Sequence, residues 1–224
     1  MPFIQNLQNL GSRFKDAFVA PQVTENDFVI FVVGPTGSGK SWFTRELCKN
    51  DQIQVEKGQH PRTKKVQALR CNFKNDPNKI VVVDTPSFHT EVEGFDAEKI
   101  TTSWIESRFT EKCRGSGILF THSLARDPTH NDMLMERHLD TFATTFRGGF
   151  TAPSLVYVVP TQEPACILLD QKVNQRLSQL ESAVTSLNDN CSNKWHASMF
   201  TEVFKGQPDA AWNVIQLLLK DMGM

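Results

Sequence analysis

No apolar run in this 224-residue sequence approaches the ~18 residues of a membrane-spanning helix, and no secretory leader is visible. Cysteine is scarce too: Cys48, Cys71, Cys113, Cys166 and Cys191 are scattered, odd in number and without a CxxC pair. That pattern argues against a zinc site and a disulfide framework, so reduced thiols in the cytoplasm are expected. An excess of charge of one sign is also missing. The formal net charge of −1 gives no global attraction for nucleic acid or an anionic membrane. Repeats and low-complexity segments are absent. What remains, 39% hydrophobic and 22% charged residues, is the composition of a soluble globular domain, and the length suits one domain with an appendage.

The appendage is residues 1–20, where Phe3, Leu7, Leu10, Phe14 and Phe18 recur at helical spacing ahead of Pro21. With only Arg13 and Lys15 as basic residues, this stripe is expected to dock on the domain's own surface rather than on a membrane or a partner. Residues 21–224 form the domain itself.

Its most informative segment is "FVIFVVGPTGSGKS", residues 28–41. An apolar strand runs into Gly34-Pro35-Thr36-Gly37-Ser38-Gly39-Lys40-Ser41, which has the spacing of the phosphate-binding P-loop. Glycines let successive N–H groups curl around an anion, and a helix starting near Lys40 adds its positive end. Lys40 would reach the outer phosphates, and the Ser41 hydroxyl would ligate Mg²⁺. A second apolar strand, "KIVVVD", delivers Asp84 at its carboxyl end, the position of an acid that secures that ion. Thr63 is the best-placed threonine for joining the ion when a γ-phosphate is present. Lys57, Arg62, Lys64, Lys65, Arg70 and Lys74 form a basic run with no acid among residues 57–74, read as bordering a polyphosphate or as a solvated loop.

"VQALRCNF" and "KIVVVD" are separated only by "KNDPN", which predicts a hairpin and hence one antiparallel strand. Further strands are expected at 117–122, 154–159 and 195–200. Helices are expected at 96–112, 131–146 and 173–187, with a last one capped by Asp209. Val173, Leu177, Leu180, Val184 and Leu187 are assigned to core packing rather than to a coiled-coil seam. The fold class is α/β: a three-layer, GTPase-type P-loop NTPase with a mostly parallel sheet and its ligand at the carboxyl ends of the strands.

"GPTGSGKS", Thr63 before "KVQALRC", "DTPSF", "GILFTH" and "DAAWNVIQLLL" together resemble the septin-like and immune-associated GTPases, closest to a set of fungal G-domain proteins. The resemblance implies GTP or GDP with Mg²⁺, switches that order around the ion, and homodimers across the nucleotide face. Two departures stand out. Ser87 and Phe88 occupy the places of the second switch's usual glycine and water-orienting glutamine, so slow turnover is expected. His89 or His122, with Arg62 or Arg126 as a charge-stabilising finger, are the catalytic candidates. The usual guanine-selecting segment is replaced by "VVPTQEP", in which Glu163 can supply the carboxylate but no lysine follows. His196-Ala197-Ser198 is either a second base-contacting loop or a buried strand. The choice between GTP and ATP stays open here. An ATP-dependent small-molecule kinase and a non-catalytic nucleotide-binding scaffold are the competing functions.

Overall fold

A computed structural model describes residues 22–49, 63–71, 79–89, 93–109, 113–147, 150–191 and 193–223. The amino-terminal stripe, Lys57, Arg62 and the "KNDPN" connection lie outside them.

Strand β1 (Asp27–Val33) is buried along its whole length, as a strand covered on both faces must be. Helix α1 (Lys40–Cys48) follows the glycine-rich loop. Strands β2 (Gln67–Cys71) and β3 (Lys79–Asp84) pair antiparallel, with Gln67 opposite Asp84 and Cys71 opposite Ile80, as the short connection predicts. Then come α2 (Ala97–Arg108), β4 (Gly115–Ser123), α3 (Met135–Thr144), β5 (Leu155–Thr161), α4 (Asp170–Asn190), β6 (His196–Met199) and α5 (Pro208–Asp221). The sheet order is β2-β3-β1-β4-β5-β6, and every pair except β2–β3 is parallel.

Two apolar layers flank the sheet. Phe28, Ile30 and Val32 of β1 pack with Phe43 and Leu47 of α1 and with Trp212, Ile215 and Leu218 of α5. On the other face Val29, Phe31 and Val33 meet Trp104 of α2, Phe142 of α3 and Leu180, Val184 and Leu187 of α4. The alternation along β1 assigns its neighbours on each side. Leu180, Val184 and Leu187 are thus core residues, whereas Val173 and Leu177 at the start of the same helix are half-buried and lie outside that layer. Asp209 is not the cap of α5: Gln207 holds that position and Pro208 opens the helix. Proline suits the first turn because its missing N–H is one that would go unbonded there anyway.

The edge strand β2 is fastened at its carboxyl end by two contacts. Arg70 clamps the fully buried Asp27 at the start of β1, with Nη1–Oδ1 and Nη2–Oδ2 distances of 2.5 and 3.0 Å. Burial alone would raise the Asp27 carboxyl, but the bonds from Arg70 and Thr24 outweigh it and hold its pKa below the usual value. Arg70 therefore serves the end of the sheet opposite the phosphate loop and does not border a polyphosphate. The second contact corrects the expectation of reduced thiols. Cys48, the last residue of α1, and Cys71, the last of β2, are joined as a disulfide with their Cα atoms 5.9 Å apart. Twenty-three positions separate them in sequence, and only the antiparallel return of β2 brings them together. Cys113, Cys166 and Cys191 are free thiols.

Candidate nucleotide site

Beyond β1 the backbone takes left-handed or otherwise glycine-favoured angles at Gly34 (φ 153°), Gly37 (72°) and Gly39 (90°). A Cβ on Gly34 would stand 2.5 Å from the Thr121 carbonyl oxygen, so the loop packs directly on the end of β4. Two threonines support it from beneath. Thr121 Oγ1 lies 2.8 Å from Ser38 Oγ, and Thr161 Oγ1 donates to the Ser38 carbonyl at 2.8 Å. Sequence reading passed over both. The signal available was a threonine near the carboxyl end of each of two adjacent parallel strands.

Within this cradle Lys40 is almost wholly buried. Its ammonium donates to the carbonyls of Gly34 (3.0 Å) and Pro35 (2.9 Å) and to the Ser87 hydroxyl (2.6 Å). The Ser41 hydroxyl donates to Asp84 Oδ2 at 2.7 Å and stands 3.1 Å from Thr63 Oγ1. Oxygens from α1, β3 and the segment before β2 therefore cluster around the Ser41 hydroxyl. Gly37, Gly39, Lys40, Ser41, Thr63, Ser87 and Glu163 line a single concavity, together with Trp42, which the sequence reading had not singled out. Trp42 forms a wall. It packs on Phe204 with ring centroids 4.9 Å apart, and a Cβ on Gly206 would come within 2.8 Å of its indole. Phe204 is in turn tied to the end of β5, exchanging backbone hydrogen bonds with Pro160 and Gln162.

The other candidates are placed elsewhere. Phe88 is buried against Phe142, which anchors the segment after β3. His89 turns away from the concavity onto α3, its Nε2 lying 2.8 Å from Thr141 Oγ1 and 3.3 Å from the Arg137 carbonyl. His122 faces the layer of α2, α3 and α4, fully buried. Arg126 is half-buried in the loop above it, which the Asp127–Arg176 ion pair holds down. Neither His122 nor Arg126 lines the phosphate concavity. His196-Ala197-Ser198 belongs to β6, where the Asn188 side-chain amide hydrogen-bonds both the N–H and the carbonyl of Ala197 at 2.8 Å. These residues form a strand, as one alternative had it, but only Ala197 is buried and His196 and Ser198 are exposed.

Residues 29–145, just over half the chain, match the model of the 50S ribosome-binding GTPase family. The chain belongs to that family. It is a P-loop GTPase by descent, a G domain of the nucleotide-binding kind. No protein of curated function matches it. Among solved structures it is similar to Era, crystallised with MgGDPNP and a segment of 16S ribosomal RNA (14% identity, TM-score 0.50, 90% of this chain and 56% of that one). It is also similar to the bacterial selenocysteine-specific elongation factor EF-Sec (12%, 0.51, 86% and 28%). A third is a dimerization-deficient mutant of Toc33 from Arabidopsis thaliana (11%, 0.51, 84% and 85%). At these identities the likeness is one of fold, and the G domain spans little over half of Era and under a third of the elongation factor.

The Mg²⁺ ion that this family implies fits the donor set. Ser41, Thr63 and Asp84 offer hard oxygens clustered around one hydroxyl. No group of three or more His, Cys, Asp or Glu side chains among the described residues could hold a metal alone.

The two inward-facing histidines set a pH limit on the fold. Burial first of all pushes His122 down to about 4; the Arg126 backbone opposes this weakly without reaching hydrogen-bond geometry. Burial does the same to His138, also to about 4. Both are neutral when folded and must gain a proton that the unfolded chain accepts near 6.5. Their stability contribution is complete above pH 6.5 and is lost as pH falls towards 4. Denaturant midpoints followed from pH 7.5 to 4.5 should fall steadily below about 6.5, and His122→Leu should remove part of that slope whatever it does to the midpoint at pH 7.5. A flat profile would contradict the assignment.

Proposed function

We propose that this G domain binds GTP with Mg²⁺, hydrolyses it slowly and acts as a molecular switch. The observation that carries the reading is the contact of Ser41 with both Thr63 and Asp84 in the concavity that Lys40 also lines. The loop amides and Lys40 bind the phosphates, and Ser41 and Asp84 hold the metal shell. Thr63 completes the shell when a γ-phosphate is present. The ion supplies charge neutralisation at the phosphate oxygens. Slow turnover is supported by Phe88 being committed to the core and by both candidate histidines lying off the concavity. Among the described residues Glu163 is the carboxylate that lines the concavity, and it is exposed just past the end of β5, where it can accept hydrogen bonds from a guanine edge.

In titrations with and without Mg²⁺, GTP should bind more tightly than ATP. Thr63→Ala should weaken a non-hydrolysable GTP analogue by about tenfold and leave GDP almost unchanged. Micromolar ATP binding with no GTP binding would overturn the base assignment. Phosphate transfer to small acceptors rather than to water would favour the kinase alternative.

A second reading, pairing of two copies across the nucleotide face as the septin-like resemblance implies, is favoured by the loop that follows Glu163. Ile167 and Leu169 there are 92% and 79% exposed. Apolar side chains that open to water beside a ligand site are suited to cover by a partner. Sedimentation should show a dimer with the GTP analogue that Ile167→Asp abolishes; a monomer at every nucleotide state rules the reading out.

A further inference from the structure

We infer that Cys48 and Cys71 form a reversible redox clasp that controls how firmly β2, and through it Thr63, is held against the nucleotide site. The functional part rests on the nucleotide reading above. Helix α1 and strand β2 are the two elements concerned. Their near ends meet at the site, where Ser41 in the first turn of α1 stands 3.1 Å from Thr63, four residues ahead of β2. Their far ends meet at the disulfide, with Cys48 closing α1 and Cys71 closing β2. The pair of elements is therefore clasped at both ends, once by the ligand shell and once covalently.

Little else ties β2 down. It is an edge strand, hydrogen-bonded to β3 alone, and only Ala68 and Cys71 of its five residues are buried. Besides that ladder, the Arg70 bonds to Asp27 and to the Gln22 carbonyl, and the packing of Ala68 and Leu69, it is the disulfide that ties the far end of the strand to α1. Opening the bond leaves an edge strand with few buried contacts, the kind of element that opens locally at low cost. Because Thr63 leads directly into that strand, its position over Ser41 loosens with it. These two cysteines sit where making or breaking their bond would change ligand release.

Closure proceeds by thiol–disulfide exchange with a low-molecular-weight disulfide of the glutathione class. The half-buried Cys48 thiolate attacks one sulfur of that disulfide and expels the first thiolate. Cys71, only 5% exposed, then attacks Cys48 Sγ in the mixed disulfide and expels the second. Two protein thiols are oxidised, one small disulfide is reduced to two thiols, and the two protons pass to the departing thiolates. Excess small thiol reverses the sequence.

The test uses the full chain treated with oxidised glutathione or with a reducing agent. Peptide mapping should place the link between Cys48 and Cys71. Amide hydrogen exchange across residues 67–71, measured without nucleotide, should be slower in the oxidised protein. Cys71→Ser and Cys48→Ser should both exchange at the reduced rate under either treatment. With a fluorescent guanine nucleotide and Mg²⁺ loaded, release should be severalfold faster from the reduced chain and redox-insensitive in both variants. Absence of the cross-link, or equal exchange over 67–71 in the two states, overturns the clasp. A redox-dependent β2 in a chain that binds no nucleotide supports the clasp and refutes the nucleotide reading instead. Identical release rates in the two states overturn the control of release.

Discussion

A buried ammonium group surrounded by two backbone carbonyls and a serine hydroxyl is the feature on which the rest of the molecule depends. Lys40 could not sit there without the loop that bends around it, and the loop could not bend so without glycine. A side chain at Gly34 would run into the Thr121 carbonyl, and those at Gly37 and Gly39 would be forced into left-handed backbone. The three acceptors that hold Lys40 in place, two carbonyls and a hydroxyl, fix its ammonium at the loop. On the proposed reading a phosphate adds a charge-assisted contact to that ammonium.

The sheet exists, in this sense, to hold that loop still. β1 is buried from end to end, and the threonines at the ends of β4 and β5 hydrogen-bond Ser38 from below. β3 brings Asp84 to the height of Ser41, and Phe88 fixes the outgoing segment to the core. Only β2 departs from this rigidity. It carries the approach to Thr63 on a sheet edge, secured at its far end by an ion pair and a disulfide. On the proposed reading, a locked glycine-rich loop and a Thr63 attached through an edge strand give the mechanical asymmetry that a nucleotide-responsive protein needs.

Much of this could be read in the residues themselves. The spacing from Gly34 to Ser41, the apolar run into Asp84 and the short Asn-Asp-Pro connection fixed the loop, the acid and the antiparallel strand, because each is a local pattern with a local cause. What escaped reading was non-local. Thr121 and Thr161 are unremarkable until two strands lie side by side. Trp42 looks like an ordinary helix residue until Gly206 and Phe204 turn it into a wall. Cysteine arithmetic pointed to reduced thiols, and it failed because pairing depends on where β2 returns, not on spacing. His89 and His122 stood next to informative motifs in sequence, yet α3 captured one and the core the other.

The account stands most directly on one calorimetric comparison: GTP with Mg²⁺ titrated into the wild-type chain and into Lys40→Ala. Micromolar or tighter binding in the first, and a loss of at least about a hundredfold in the second, is the expected result, since a charge-assisted contact to phosphate is withdrawn from a buried site. No heat for any nucleoside triphosphate at millimolar concentration in the wild-type protein, or equal binding in the two chains, would contradict it.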